Sequence, residues 1–267
     1  KSSIPKDCSY ALESLLNNVL KDVDYDIFAH TWSGQEIDKT FDFIKPKNYS
    51  VTPPIEFSKI DQLNLYISAF KRGIKSLYSY ILSVKFNYKD QQKILNNIMS
   101  RYYSSATSVL LMKQFVEQNA EKYSHVMITR YDLEYFSKFN FSNLSSSKIY
   151  FGENCEVNSS EDKIIPNQFY WREFQRNNNP SIKNLEFKKN HRGLEDFWFI
   201  CSYKNALKMS DLFFKINYYI KSGTKPNSHH LLERHVYENF SEEELDFYKT
   251  RLIDFDLSRR YRLNDIN

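Results

Sequence analysis

Apolar residues recur along the chain in two patterns, the three-to-four-residue spacing of helices and the short continuous runs of buried strands. Between residues 9 and 21, the leucines 12, 15, 16 and 20 follow the helical spacing. The run "DYDIFAHTW" comes next and predicts a buried strand. A helix that leads into a strand indicates an α/β layer.

The middle of the chain repeats this order. Helical spacing predicts a helical excursion over about 58–102, and a further helix over 103–122 leads into the apolar run at 124–129. Residues 147–152, "SKIYFG", predict another strand, whereas the Asn-, Ser- and Lys-rich stretch 154–192 predicts an irregular loop region. The pattern favours one domain over residues 1–267, in which helices flank a mixed sheet.

The last third of the chain is mostly helical in pattern. We expect a helix over about 196–221, with Gly223 as its stop, because glycine favours helix C-termini. Its aromatic residues are expected to face the core: Phe213, Phe214, Tyr218 and Tyr219. A shorter helix follows, and Ser241 with Glu244 forms a predicted capping box.

Composition narrows the class of protein. The 267 residues are 41% hydrophobic and 16% aromatic, which is typical of a compact globule. A net charge of +4, spread over 37 basic and 33 acidic residues, does not indicate a nucleic-acid partner. Three distant cysteines predict neither a disulfide framework nor a thiolate zinc site. With neither a signal peptide nor a membrane-spanning run, we expect a cytoplasmic protein.

Several acidic motifs could bind a metal ion, and their position relative to the strands separates them. In an open α/β sheet, ligands bind at the carboxyl ends of strands. The acids at 22, 24 and 26 precede their strand and are expected to be solvated turn residues. Asp254 and Asp256 lie beside Arg259 and Arg260, where a surface salt-bridge cluster is expected. Asp132 instead follows the apolar run 126–129 directly.

Asp132 lies in "ITRYDLEYF", where extended backbone would put Arg130, Asp132 and Glu134 on one face. Carboxylate oxygens suit Mg²⁺ or Mn²⁺, and arginine pairs with phosphate, so this face could bind a metal-bound diphosphate. The alternative is a structural ion pair between Arg130 and Asp132 at a strand end.

Three further clusters could converge on the same site. Hydroxyls and an aromatic ring that could receive a nucleotide follow the first strand, at Thr31, Trp32 and Ser33. Glu195 or Asp196 could act as a general base, although acids also favour helix N-termini for the dipole alone. His229 and His230 could complete a metal or diphosphate site, or be ordinary surface or core histidines; a zinc-protease H-E-x-x-H motif is absent.

Three stretches, "DYDIFAHTWS", "YSSATSVLLMKQFVEQNAEKYSHVMITRYDLEYF" and "GLEDFWFICS", resemble in that order bacterial surface-polysaccharide glycosyltransferases of the GT-A fold. The resemblance covers roughly residues 9–215. It implies a GT-A-like, Rossmann-like nucleotide-binding sheet. Two features depart from the family: the metal motif is R-x-D-x-E instead of D-x-D, and the printed sequence opens near the first helix without a G-Q-x-R-like loop, which leaves recognition of the base open.

The resemblance also implies a role for each candidate residue. Asp196 would be the catalytic base and Glu195 its acceptor-binding neighbour. Donor binding would involve Arg130, Thr31, Trp32, Ser33 and Ser104. The metal ligands, for Mn²⁺ or Mg²⁺, would come from Asp132, Glu134, His229 and His230.

The sequence thus predicts a metal-assisted transfer of a sugar from a nucleoside diphosphate sugar to a hydroxyl of a surface glycan. The transfer inverts the anomeric carbon if Asp196 is the base, but retaining enzymes share the fold, so both outcomes stay open. Its partners would be the donor and a glycan acceptor, without nucleic acid, and peripheral association with the inner face of the membrane is left open. Two alternatives remain: a non-catalytic glycan- or protein-binding module on a transferase scaffold, and a metal-dependent phosphodiesterase. The sequence does not predict an oligomeric state.

Overall fold

The computed structural model describes residues 9–34, 37–57, 74–152, 194, 196–248 and 255–257. Over these residues the chain is a mixed α/β protein, as the hydrophobic pattern predicts. None of the helices in these ranges combines the length and apolar character needed to cross a bilayer.

The predicted first helix is present as α1, Ser9–Ser14, which continues as a π-helical turn over Leu15–Leu20. Two of its polar side chains bond to the backbone of a later strand. Ser14 Oγ accepts the amide hydrogen of Tyr135 at 2.9 Å, and Asn18 donates to the Tyr135 carbonyl at 2.6 Å. These bonds satisfy both backbone groups of a fully buried residue and fix the helix against the strand.

The next elements form a strand–helix–strand unit. Strand β1, Phe28–Trp32, is followed by helix α2, Ile37–Ile44, and by strand β2, Asn48–Thr52. The two strands pair in parallel, from Phe28 opposite Asn48 to Trp32 opposite Thr52. A parallel pair needs such a crossover, because a tight turn reverses the strand direction.

One long helix, α3, runs from Ile74 to Asn119, 46 residues or about 69 Å. It merges the end of the predicted excursion with the separately predicted helix over 103–122, and residues 58–73 lie outside the described ranges. The division into two helices was wrong because no glycine or proline interrupts 74–119, so one ladder of hydrogen bonds continues. The buried side chains repeat every three to four residues: Leu95, Ile98, Met99, Tyr102, Ala106, Val109 and Met112.

The described strands after α3 form two sheets. Strands β3, Val126–Ile128, and β4, Leu133–Tyr135, are followed by β5, Ile149–Phe151, and β6, Phe199–Cys201. The last two are β7, Leu245–Phe247, and β8, Phe255–Leu257. One mixed sheet has the order β3-β6-β5-β7, with β5 and β7 parallel, and β4 pairs with β8 alone.

The predicted helix over 196–221 was wrong in its first part. Residues 199–201 form β6, and only then follow helices α4, Tyr203–Ser210, and α5, Leu212–Lys221. The run "FWFIC" has the continuous apolar character of a strand buried on both faces. The stop at Gly223 is confirmed by its φ of 104°.

The aromatic residues of α5 do not all face the core. Tyr219 is fully buried and Phe213 is half-buried, but Phe214 is 67% exposed and Tyr218 is 58% exposed. After α5, helix α6 spans Ser228–Asn239 and a 3₁₀ turn spans Glu242–Glu244. The predicted capping box is confirmed: the Glu244 carboxylate accepts the Ser241 amide hydrogen at 2.9 Å.

Candidate functional site

The pairing of β3 with β6 determines where the predicted site residues meet. The strands are antiparallel and their last described pair is Ile128 opposite Phe199. The carboxyl end of β3 therefore lies beside the amino end of β6. Arg130 lies two residues beyond this pair and Asp196 three residues before it, so two distant sequence motifs meet at one end of the sheet.

Arg130 and Asp132 form a bidentate ion pair at this end. Arg130 Nε and Nη2 each donate to one oxygen of Asp132, both at 2.7 Å. Burial opposes the charge of Arg130, yet its bonds to Asp132 and the field of Asp196 raise the pKa of Arg130. The structural ion pair that the sequence left open as an alternative is therefore present, in the fork geometry that holds a guanidinium rigidly.

Glu134 does not continue one face with Arg130 and Asp132. Residues 131 and 132 lie in a turn, so the extended backbone predicted from Arg130 to Glu134 is interrupted. Glu134 lies on β4 between the buried Leu133 and Tyr135, opposite Asp256 in the register of β4 and β8. The prediction that Glu134 shares a face with Arg130 and Asp132 was wrong, because the chain leaves one sheet after β3 and enters another at β4.

Asp196 is the most enclosed carboxylate of the site, at 4% exposure. An Arg101 N–H on α3 donates to its Oδ2, and Nδ1 of His229 lies 3.4 Å from its Oδ1. Burial alone would raise the pKa of Asp196, but Arg101, His229 and a hydrogen bond from Ser228 together lower it. The carboxylate is therefore ionised near neutral pH, although its enclosure excludes most water.

The histidine beside Asp196 is held by the first turn of α6. His229 Nδ1 lies 3.0 Å from the carbonyl oxygen of Leu194, and Asn227 caps the helix by accepting the His229 amide hydrogen at 2.9 Å. Since a carbonyl can only accept, this contact puts a hydrogen on Nδ1 of the ring. His230 Nδ1 lies 3.5 Å from the side-chain oxygen of Asn227. Glu195, the predicted acceptor-binding neighbour, lies outside the described residues.

Thr31 connects the end of β1 to the turn that contains Asp132. Its Oγ1 lies 3.3 Å from the hydroxyl of Tyr131, the residue between Arg130 and Asp132. Ser33 is exposed and donates its amide hydrogen to the Thr52 carbonyl at 2.8 Å. The carboxyl ends of β1 and β3 therefore lie close together, as expected for a ligand site of an α/β sheet.

Ser104 takes part in a buried network centred on His30. His30 Nδ1 lies 2.9 Å from Ser104 Oγ, and its Nε2 lies 2.8 Å from Thr52 Oγ1. Ser104 donates its hydrogen to the Ser100 carbonyl, so it accepts from Nδ1, and Nε2 accepts from Thr52. Burial lowers the pKa of His30 to about 4, so the ring is neutral at pH 7.

Trp32 lies in a separate aromatic cluster. It stacks on Tyr103 with ring centroids 5.4 Å apart, and Tyr103 contacts Phe213 at 5.3 Å. Tyr103 and Arg101 are two residues apart on α3, about 200° around the helix. The described ring contacts of Trp32 are with His30, Phe57 and Tyr103, and neither Asp132 nor Asp196 is among them.

Among the described residues, no group of three or more His, Cys, Asp or Glu side chains is arranged to hold a divalent metal ion. Both oxygens of Asp132 accept hydrogen bonds from Arg130, and His229 Nδ1 is bonded to Leu194. Asp132 is therefore engaged by a protein partner, whereas a bond from Nδ1 to a carbonyl is also how metal-binding histidines are oriented. Metal dependence stays a prediction.

Arg101 is the site residue that the sequence analysis missed. It lies on a helix between Ile98 and Tyr102, which are both buried. A lone arginine on such an apolar face needs a partner, because an isolated buried charge is costly. That signal could have marked Arg101, but the sequence does not show that its partner is Asp196, 95 residues away.

Comparison of the chain with known protein families, with curated proteins and with solved structures found no match. Two guanidinium groups, two ionised carboxylates and an imidazole meet at one end of the sheet, with nearly balanced charge. Such a group can recognise phosphate through the arginines and accept a proton on a carboxylate.

Proposed function

We propose that the protein transfers a sugar from a nucleoside diphosphate sugar to a hydroxyl of a glycan, within a GT-A-like domain. The observation that carries the proposal is the convergence of Arg130–Asp132 and Arg101–Asp196–His229 where β3 ends and β6 begins. The parallel β1–α2–β2 unit beside it supports a Rossmann-like nucleotide-binding half.

In this reaction the chain would supply charge and proton transfer. Arg130, whose guanidinium has N–H groups beyond the two that bond Asp132, would bind the diphosphate and stabilise the leaving group. Asp196 is ionised and would accept the proton of the acceptor hydroxyl. Direct attack by that hydroxyl inverts the configuration at the anomeric carbon.

Donor binding is tested first. We expect nucleoside diphosphates or their sugars to raise the melting temperature of the full chain, measured with and without Mn²⁺. Asp132→Asn should remove most of that rise, because Asp132 orients Arg130. The matched control is Asp22→Asn, whose side chain is 73% exposed and only 3.6 Å from a surface lysine. Failure of every nucleotide to raise the melting temperature would contradict the proposal.

Transfer is tested second, with product detected by mass spectrometry. Asp196→Asn should lower the rate by about 10² to 10⁴, the usual contribution of a general base, while donor binding is kept. Chelation with EDTA tests the predicted metal dependence. A variant that binds donor and still transfers at the wild-type rate would remove Asp196 from this role.

A second candidate, a non-catalytic binding module, is favoured by the arginine partner that each carboxylate already has. Such ion pairs also occur as purely structural groups. It predicts ligand binding without turnover. Phosphodiesterase activity, the third alternative, would appear as nucleotide release from phosphodiester substrates without any sugar donor.

A further inference from the structure

The orientation of the Asp196 carboxylate depends on its contacts, because its own backbone is irregular. Asp196 lies in neither a helix nor a strand, three positions before β6 begins. Two residues earlier, both backbone groups of Leu194 bond to His229 of α6, the amide at 3.2 Å and the carbonyl at 3.0 Å. The segment is thus attached to α6, but no regular backbone sets the direction of the Asp196 side chain.

Adjacent residues of α3 hold both Asp196 and a residue that bonds it. Arg101 donates an N–H to Oδ2 of Asp196. Tyr102 donates its hydroxyl hydrogen to the carbonyl of Ser228, the first residue of α6, at 2.9 Å. Ser228 in turn donates a hydrogen bond from its side chain to Asp196. These bonds close a ring that connects Asp196, Arg101, Tyr102 and Ser228.

The helix that supplies Arg101 and Tyr102 is a firm support for this ring. Ile98, Met99 and Tyr102 are all buried in the main core, so this turn of α3 is packed in place. The guanidinium of Arg101 also lies over the Tyr102 ring, 5.8 Å from its centroid. A planar guanidinium donates in fixed directions, unlike the ammonium of lysine, and groups held by packed helices keep a more precise geometry than groups held by loops.

The contacts of Asp196 also restrict how a further donor can approach it. An ionised carboxylate has about four positions that accept hydrogen. Arg101 and Ser228 each use one of them, and Nδ1 of His229 lies 3.4 Å from Oδ1 while it bonds to the Leu194 carbonyl. With three sides of the carboxylate engaged, an incoming hydroxyl has a narrow range of directions in which it can donate to Asp196.

We propose that Arg101 and Tyr102 are positioning residues, which hold the Asp196 carboxylate in the one direction that receives the proton of the acceptor hydroxyl. The inference rests on the proposed transfer reaction. In that step the hydroxyl oxygen bonds to the anomeric carbon, and its proton passes to Asp196. The bond from the anomeric carbon to the diphosphate breaks, and its electron pair leaves with the nucleoside diphosphate. Arg101 and Tyr102 act through Asp196, whereas Arg130 binds the donor.

Steady-state kinetics separate the two arginines. Arg101→Gln should lower kcat by about 100-fold, the loss that a misplacement of about 1 Å in a reacting group can cause, while KM for the donor stays unchanged. Arg130→Gln should instead weaken donor binding. The matched control is Lys113→Gln on the same helix, whose side chain is 43% exposed and lies 3.8 Å from Glu117; its kcat should equal that of the wild type. Weaker donor binding in Arg101→Gln would assign Arg101 to the phosphates and overturn the proposal.

Two milder variants keep the test decisive if Arg101→Gln does not fold. Arg101→Lys retains the charge but not the planar donor group, so its kcat should lie between those of the wild type and Arg101→Gln. Tyr102→Phe removes only the hydroxyl that bonds Ser228 and should also lower kcat without a change in KM for the donor. Circular dichroism checks that each variant is folded. Folded variants that both keep the wild-type kcat would overturn the proposal.

A double-mutant cycle on kcat distinguishes positioning from general damage to the fold. If Arg101 acts through Asp196, its replacement should lower kcat in the wild type but should not lower further the residual kcat of Asp196→Asn. The cycle is run with Arg101→Gln and again with Arg101→Lys. Losses that multiply in the double variant would show that Arg101 acts on some other group, and they would contradict the positioning role.

The same measurements keep this inference distinct from the proposed function. A folded wild-type chain that binds no nucleoside diphosphate sugar and forms no product would reject the transfer reaction, and the positioning role with it. A wild type that transfers sugar, together with Arg101 and Tyr102 variants that transfer at the same rate, would reject only the positioning role.

Discussion

At the scale of single residues, the stability of buried Asp196 depends on Arg101. The carboxylate is almost fully enclosed, and the guanidinium offsets the cost of its burial. We predict that Arg101→Gln lowers the free energy of unfolding by about 3 kcal/mol at pH 7, because it leaves a buried charge without its main partner. Urea denaturation measures the loss.

The loss of stability in Arg101→Gln should depend on pH. In the native protein the lowered pKa of Asp196 means that its pairing stabilises the fold above its unfolded pKa, about 3.8, and that this stability is lost as pH falls through the folded pKa. Without Arg101, burial would raise the folded pKa, so the defect should shrink toward pH 4. Arg234→Gln, which breaks an exposed pair with Glu238, should cost about 0.5 kcal/mol or less.

The candidate site was partly predictable from residue types. Asp132 and Asp196 stood out because strand ends and helix starts are positions where acids can serve ligands. Their arginine partners were less predictable. Arg130 was named, but its bidentate bond to Asp132 depends on a turn at 131–132 that the alternation pattern did not indicate. Arg101 could not be paired with Asp196, because their meeting depends on how α3 lies against β6.

At the scale of elements, His30 connects two strands and the long helix through hydrogen bonds. It lies on β1 and bonds to Thr52 of β2 and Ser104 of α3. Its pKa is lowered to about 4 by burial, whereas the unfolded value is 6.5, so the neutral ring stabilises the fold above pH 6.5. We predict that the free energy of unfolding falls by about 2 kcal/mol between pH 6.5 and pH 4, because protonation of His30 opposes folding in this range.

The variant His30→Asn tests whether titration of His30 causes this pH dependence. The variant should be less stable at pH 7, yet its free energy of unfolding should fall less between pH 7 and 4, since asparagine does not titrate. His125→Gln, a substitution at a half-exposed histidine, serves as the control. If the wild type and His30→Asn show the same pH slope, the acid sensitivity originates elsewhere.

A second histidine connects the last three helices. His235 of α6 is fully buried, and its Nε2 donates to the Lys208 carbonyl at the end of α4, 2.8 Å away. Its Nδ1 therefore accepts from the hydroxyl of Tyr219 on α5, at 2.9 Å. Asn239 Nδ2 lies 3.3 Å from the same ring nitrogen. We predict that Tyr219→Phe costs about 1 kcal/mol in urea denaturation, because it removes a buried hydrogen bond that Asn239 replaces only in part.

The matched control for that bond is Tyr218→Phe. Its hydroxyl belongs to a neighbouring residue of the same helix whose side chain is 58% exposed, so removing it should change stability by less than about 0.5 kcal/mol. A similar loss in both variants would indicate a general effect on α5 and would contradict the role assigned to His235.

Element types were predictable where a periodic pattern was long and unbroken. Helices α1 and α6 and strands β1, β3 and β5 follow from local sequence, since each has one apolar stripe or one short apolar run. The error at β6 has a physical cause: "FWFIC" precedes a helical pattern without a turn signal, and only pairing with β3 and β5 makes it a strand. Local propensity yields to such tertiary contacts.

At the scale of the whole molecule, one buried cluster connects elements from both halves of the chain. It joins α3 through Leu95, Met99 and Val109 with the sheet through Ile149 and with α5 through Ile216. The order β3-β6-β5-β7 interleaves strands that are distant in sequence, which no local pattern specifies. The α/β class was therefore predictable, whereas the strand order was not.

This shared core predicts a single cooperative transition. Ile216 on α5 and Val109 on α3 are both buried in it, at 0% and 2% exposure. We expect Ile216→Ala to lower the free energy of unfolding by about 2 to 4 kcal/mol, and Val109→Ala by a smaller amount, because each leaves a cavity among packed neighbours. The urea dependence of the free energy should be unchanged in both variants.

Two probes decide whether the molecule unfolds as one unit. Far-ultraviolet circular dichroism follows the helices. Fluorescence follows Trp198 once Trp32 and Trp171 are replaced by Phe in every variant, and Trp198 lies in a separate cluster with Leu133 and Tyr135. If the cores are coupled through β6, where Ile200 faces one cluster and Phe199 the other, both probes should shift together in Ile216→Ala. A fluorescence midpoint that stays at the wild-type urea concentration would show that the β4 side of the molecule unfolds independently of the helical layer.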